Sequence, residues 1–218
     1  MIISVFNEPD FLAQKQTTKL ETIMTRIQAI APENATGKAQ ELLNAVKGKL
    51  GMVPNMARTM ANAPAVLDGY LAFSGSLAKG TLNAKLREQI ALTVAERNGC
   101  EYCLAAHSAI GKMVGLSSEQ VLDSRSAKAI DPKTEAVLQF AGSLVDNRGR
   151  VSDIDLNELR NAGVDDQAIA EVVANVTLNI FTNYFNHVSD PDIDFPKAAP
   201  LSVEAQTCGT SGTCGSTH

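Results

Sequence analysis

Cys100-Glu101-Tyr102-Cys103-Leu104-Ala105-Ala106-His107 sets two thiols and an imidazole in the pattern C-x-x-C-x-x-x-H. On a helix turning about 100° per residue, positions 100, 103 and 107 share one face. Leu104, Ile110, Gly111 and Val114 fall on the same stripe, so the thiols and the imidazole point inward. Taken singly, a buried cysteine is a small hydrophobe and a lone histidine a satisfied core residue. Their helical spacing points instead to chemistry. Cysteines in a first helical turn feel the positive end of the helix dipole, which favours thiolate. The C-x-x-C spacing lets them close a disulfide with little backbone movement. His107 lies one turn beyond Cys103, within reach of its sulfur directly or through one water. Zinc is the rival use of these ligands, with Glu88 or Glu96 as the fourth. Structural zinc sites more often pair knuckles from separate loops, whereas all three ligands here sit on one helix.

The preceding helix adds a carboxylate. Leu82, Leu86, Ile90 and Val94 form its apolar stripe, and Lys85, Gln89 and Glu96 its polar arc. Glu88 sits outside that arc beside Ala91, Leu92 and Ala95, where a carboxylate needs a partner or a raised pKa. It pairs with Arg87 or another base, or it accepts a proton from His107 or Cys103. Glu96 reads as surface. His187, at the Asn-rich end of the last helix, reads as a hydrogen-bonding or cavity-lining residue.

The elements that position these groups are helices. Pro32-Glu33 opens one carrying Ala39, Leu42, Leu43, Val46 and Leu50 at helical spacing, and Gly51 caps it. Others are predicted over 64–79, 83–97, 100–114, 134–145 and 167–188, with short ones after Ser117 and near Asp155. Ser117 and Gln120 form a capping box. Strict two-residue alternation is nearly absent, so the fold class is all-α. The stop-and-cap signals Gly115-Leu116-Ser117 and Gly163-Val164-Asp165 hint at a duplicated helical unit. The expected organisation is an N-terminal arm over 1–31, one helical domain over 32–197 and a Gly/Ser/Thr-rich tail over 198–218 that reads as disordered.

Composition narrows the function. The 218 residues carry 19 Lys and Arg against 24 Asp and Glu, a net charge of −5. Such a surface argues against general nucleic-acid binding. No apolar run approaches the ~20 residues of a membrane span, and the start lacks the features of a secretory signal, so a cytoplasmic location is expected. In a cytosolic chain of this size the four cysteines read as redox thiols or metal ligands rather than a disulfide framework. Cys208 and Cys214, near His218 in the tail, read as non-catalytic.

Glu88 followed by Cys100-x-x-Cys103-x-x-x-His107 resembles the alkylhydroperoxidase D-like proteins of the carboxymuconolactone decarboxylase superfamily. Leu86-Arg87-Glu88-Gln89-Ile90-Ala91-Leu92 and Asn98-Gly99-Cys100 look like the same family. Gly51-Met52-Val53-Pro54-Asn55 and residues 178–187 look like its peroxidase-related branch. The resemblance spans roughly 35–196. It implies an all-α helical bundle assembled as homo-oligomers, often trimers or hexamers, and thiol-dependent reduction of a peroxide substrate. It implies that Cys103 attacks, Cys100 resolves, and Glu88 with His107 relays the proton. The family's best-studied members place a second histidine where this chain has Tyr102, a poor base at neutral pH. Tyr102 is then left to orient a water or donate to the leaving oxygen. The cycle needs an external dithiol and no cofactor, whether metal, haem or flavin. The competing readings are a non-catalytic redox sensor or disulfide-exchange protein, and the superfamily's decarboxylase chemistry, which has no use for a C-x-x-C.

Overall fold

The computed structural model describes residues 25–201. Within them the chain forms a 3-10 turn over Pro32–Asn34 and then α1 (Gly37–Leu50), α2 (Asn55–Met60), α3 (Pro64–Leu77), α4 (Ala84–Arg97), α5 (Glu101–Met113), α6 (Ser118–Arg125), α7 (Pro132–Asp146), α8 (Asp153–Asn161) and α9 (Asp166–Ser189). Among the described residues there is no strand, and no helix is long and apolar enough to cross a membrane.

α4 is the axle. Residues 89–95 are all buried, and α5, α6, α7 and α9 pack around it. A helix with neighbours on every side cannot keep the polar arc its sequence suggests. Gln89, expected at the surface, is therefore buried. The main core joins Ile90 and Val94 of α4 to Val137, Leu138 and Leu144 of α7, Leu159 of α8 and Val172 and Val176 of α9. A second cluster is built by α1, α2 and α3 around Leu42, Leu43, Met60 and Leu67.

The helix ends follow local chemistry. Side chains of Asn83, Ser117, Asp131, Ser152 and Asp165 accept the N–H three residues on and start α4, α6, α7, α8 and α9. Gly51 ends α1 in the left-handed conformation, φ 74°. Both stop-and-cap signals are realised, and they launch helices of 8 and 24 residues.

Two expectations change at the N-terminal end. Pro32 opens only the 3-10 turn, because Ala35 and Thr36 are extended, and α1 starts at Gly37. Leu50 is 41% exposed rather than core. The short α2, which the Gly51–Asn55 stop signal conceals, follows directly. Residues before the turn lie on the body: the Ile27 N–H donates to the Ser189 carbonyl and the Ile30 N–H to the Arg58 carbonyl, each at 3.2 Å. The first 24 residues of the expected arm lie outside the described residues. So does the tail from 202, with Cys208, Cys214 and His218.

After α9 the chain runs without regular structure from 190 to 201, as a strap across the start of α5. Ile193, Phe195 and Ala198 pack on a cluster that contains Cys100, Tyr102 and Cys103.

Candidate active site

The α4–α5 hairpin assembles the site. Gly99 takes the left-handed conformation, φ 63°, which a side chain would strain. That turn lets the Cys100 N–H reach the Ala95 carbonyl at 2.9 Å, closing α4 as a Schellman motif. Cys100 then serves as the N-cap of α5, its Sγ accepting from the Cys103 N–H at 3.3 Å. The spacing in sequence becomes a bond: Cys100 and Cys103 form a disulfide. Both are buried, at 2% and 3% exposure. Among the described residues, no three His, Cys, Asp or Glu side chains converge as a metal site would require.

Glu88 and His107 meet across the hairpin, Oε2 to Nδ1 at 2.8 Å. Their side chains are 18% and 22% exposed, enough shielding for the pair to hold one geometry. Arg87 does not compete, since its Nη1 donates to the Leu82 carbonyl. Of the two readings open for Glu88, the structure shows the pairing with His107. Glu96 is not a free surface group. It accepts from the Nε of buried Arg125 at 2.7 Å, and Arg125 also donates to the Ala199 carbonyl of the strap.

A cavity of about 350 Å³ lies against this hairpin, within the range of small-molecule sites. Cys103, His107 and Glu88 line it, with apolar walls from Val46, Leu71 and Ile110. One wall belongs to α9, where Asn175, Asn179, Thr182 and Asn186 line the space. Positions i, i+4, i+7 and i+11 share a helix face, so this polar stripe of three amides and a hydroxyl runs for about 16 Å. From the sequence only the Asn-rich character of the end of α9 was legible. His187 is exposed and does not line the cavity; its carbonyl accepts from Arg26 Nη1 at 3.2 Å. The residue beside it, Asn186, is the one that reaches the thiols, with Nδ2 donating to Cys103 Sγ at 3.2 Å.

Tyr102 has a different task from the one expected. Its hydroxyl donates to Asp194 Oδ1 at 2.7 Å and accepts from the Met56 N–H at 3.2 Å. Asp194 Oδ2 accepts from the Asn55 N–H at 2.8 Å. Phe195 meets the Tyr102 ring edge-on, with centroids 5.9 Å apart. Burial above all holds the phenol proton well above its ordinary range; the Met56 N–H pulls the other way, and the Asp194 hydrogen bond and charge add to the rise. Tyr102 therefore latches the strap and α2 to the redox helix, and its proton is committed to Asp194. Tyr70, which sequence reasoning missed, also lines the cavity. Its hydroxyl is pushed up to about 12, by burial first and by the Glu88 charge second, so it stays a neutral donor. A lone tyrosine on an apolar helix gives no sequence signal for this.

Helix order and hairpin site together define an alkylhydroperoxidase D-like helical fold. Residues 64–146, from the start of α3 to the end of α7, match the carboxymuconolactone decarboxylase family model. The alkylhydroperoxidase AhpD core of a peroxidase-related protein from Ralstonia eutropha JMP134 is similar, with a TM-score of 0.69 at 23% identity over 78% of this chain and 92% of that one. A peroxidase-related protein from Silicibacter sp. TM1040 gives 0.68 at 23% identity, over 78% and 94%. The debrominase Bmp8, bound as a cysteine-to-alanine variant to 2,3,4-tribromopyrrole, gives 0.69 at 19% identity, over 79% and 93%. No curated protein matches the chain.

Proposed function

We propose that this protein is a thiol-dependent peroxidase that reduces organic hydroperoxides through Cys100 and Cys103. One observation carries the reading: a buried Cys100–Cys103 disulfide whose Cys103 shares the wall of a largely apolar cavity with the Glu88–His107 pair. Reduced Cys103, as thiolate, attacks the outer oxygen of the hydroperoxide. The S–O bond forms and the O–O bond breaks. His107, oriented by Glu88, gives a proton to the departing alkoxide. Cys103 is then a sulfenic acid, the peroxide has become an alcohol, and Cys100 condenses with the sulfenic acid to release water and close the disulfide. An external dithiol restores both thiols. The oxygen transfer is a two-electron step at sulfur and calls for no haem, flavin or metal. The apolar walls favour an alkyl or aryl hydroperoxide. The reading includes a homo-oligomer and a reducing compartment such as the cytoplasm.

The test is steady-state consumption of cumene hydroperoxide with a dithiol reductant. Turnover that disappears in Cys103→Ser supports the assignment, and unchanged turnover in that variant refutes it. The debrominase neighbour supplies the competing substrate. Bromide release from 2,3,4-tribromopyrrole that outpaces hydroperoxide turnover would overturn the peroxidase reading.

A further inference from the structure

We infer that the Asn186 carboxamide aligns the reacting atoms: Nδ2 holds the Cys103 sulfur, and Oδ1 receives the O–H of the incoming hydroperoxide. This rests on the peroxidase reading.

Asn186 is 4% exposed on α9. Its Nδ2 donates to Cys103 Sγ at 3.2 Å and to Met56 Sδ at 3.4 Å. A disulfide sulfur and a thioether only accept hydrogen bonds, so the amide must turn its nitrogen toward them. That choice strands the oxygen. Among the described residues three buried side-chain polar atoms lack a partner: Ser108 Oγ, Asn183 Nδ2 and Asn186 Oδ1. Of these residues, Asn186 alone lines the cavity. A buried carbonyl oxygen with nothing to accept is costly unless something else supplies the donor. A hydroperoxide brings one donor, on the oxygen that the thiolate must attack.

The two ends of one rigid amide therefore act on the two reactants. The N–H bond favours the ionised form of Cys103. The C=O group holds the outer O–H beside the sulfur, which leaves the inner oxygen for the His107 proton. Atoms balance as above: sulfur loses two electrons to the O–O bond, the sulfenic acid keeps the hydroxyl, and the alkoxide takes its proton from His107. Asn186 exchanges no proton. Met56 is itself held in place, because its backbone N–H is bonded to the Tyr102 hydroxyl.

The experiment uses the full chain with Cys100→Ser, Cys208→Ser and Cys214→Ser, so that Cys103 is the sole thiol. Its titration is followed by the rate of iodoacetamide alkylation against pH, and its peroxide chemistry by single-turnover reaction with cumene hydroperoxide. Adding Asn186→Leu, close in shape to Asn, is expected to raise the thiol pKa by about one unit, the size of a lost hydrogen bond to a charged group. At a pH where both thiols are fully ionised, alkylation should be equal, while the hydroperoxide rate stays at least tenfold lower. An unmoved thiol pKa overturns the role of the nitrogen. A hydroperoxide rate that falls only in parallel with alkylation overturns the role of the oxygen. Asn186→Ala, with its smaller side chain, repeats the measurement if the leucine variant does not fold. A parent protein that alkylates normally but ignores hydroperoxide sinks the peroxidase reading, and the thiol titration then tests the amide nitrogen by itself.

Discussion

Tyr102→Phe deletes one oxygen and tests whether the phenol is a latch or a proton donor. The hydroxyl makes two bonds, one to the Asp194 carboxylate and one to the Met56 N–H. A hydrogen bond to a charged group contributes about 1.5–3 kcal/mol and a neutral one about 0.5–1.5. Asp194 is half-exposed, so the low end of each applies, about 2 kcal/mol together. For a chain of this size that lowers Tm by about 4–8 °C. The loss should also be local. Amide hydrogen exchange should speed up at Asn55, Met56 and residues 192–198, which the latch joins, and a dithiol should reduce the Cys100–Cys103 bond faster. A Tm within about 1 °C of the parent, with unchanged exchange at those amides, would refute the latch. So would a collapse of peroxide turnover at full stability, because it would return Tyr102 to the proton path.

Three further outcomes follow from the same geometry. Glu88→Gln keeps the shape of the 2.8 Å contact with His107 but removes its charge; the single-turnover rate with cumene hydroperoxide should fall about a hundredfold, in the range of general acid–base catalysis, with little change in Tm. Leu138→Ala empties a fully buried position between α4, α7 and α9 and should cost about 3 kcal/mol, read as a lower urea midpoint at unchanged slope. Burial pushes the Glu171 carboxyl up, but donors on Thr81, Leu82 and Gln167 outweigh it and leave it below the usual value. A lowered folded pKa gives stability that is present above the ordinary carboxylate value of 4.5 and lost as pH falls through the folded one. Thermal melts should show Glu171→Gln flattening that acid limb, with the gap from the parent narrowing as pH drops below the ordinary value of 4.5.

What the sequence made legible was local. Caps at Asn83, Ser117, Asp131 and Asp165 act within three residues, and Cys100, Cys103 and His107 share a face through helical period alone. The Glu88–His107 pair was half legible. Period put both on inward faces, but only the Gly99 turn brings those faces together. The remainder depends on partners far along the chain. Nothing near Tyr102 announces Asp194, 92 residues on, and nothing near Glu96 announces Arg125. Asn186 and His187 are adjacent, and a step of about 100° decides which one faces the cavity. Choosing histidine over asparagine followed chemical reactivity, whereas the fold selected by direction. Gln89 was misread because amphipathic logic assumes one wet face, and the middle of α4 has none.

The strap also has a place in time. A chain emerges from its N-terminus, and domains fold as it does so. Asn55 and Tyr102 must wait for Asp194, 139 and 92 residues later. Until residue 195 has emerged, the cysteines of α5 lack the Ile193 and Phe195 cover. The thiol pair is thus open to solvent oxidants and to other thiols from the emergence of α5 until that of the strap, and it is sequestered by nearly the last part of the described fold to form. Its redox partners during biogenesis can therefore be larger than those that reach it afterwards.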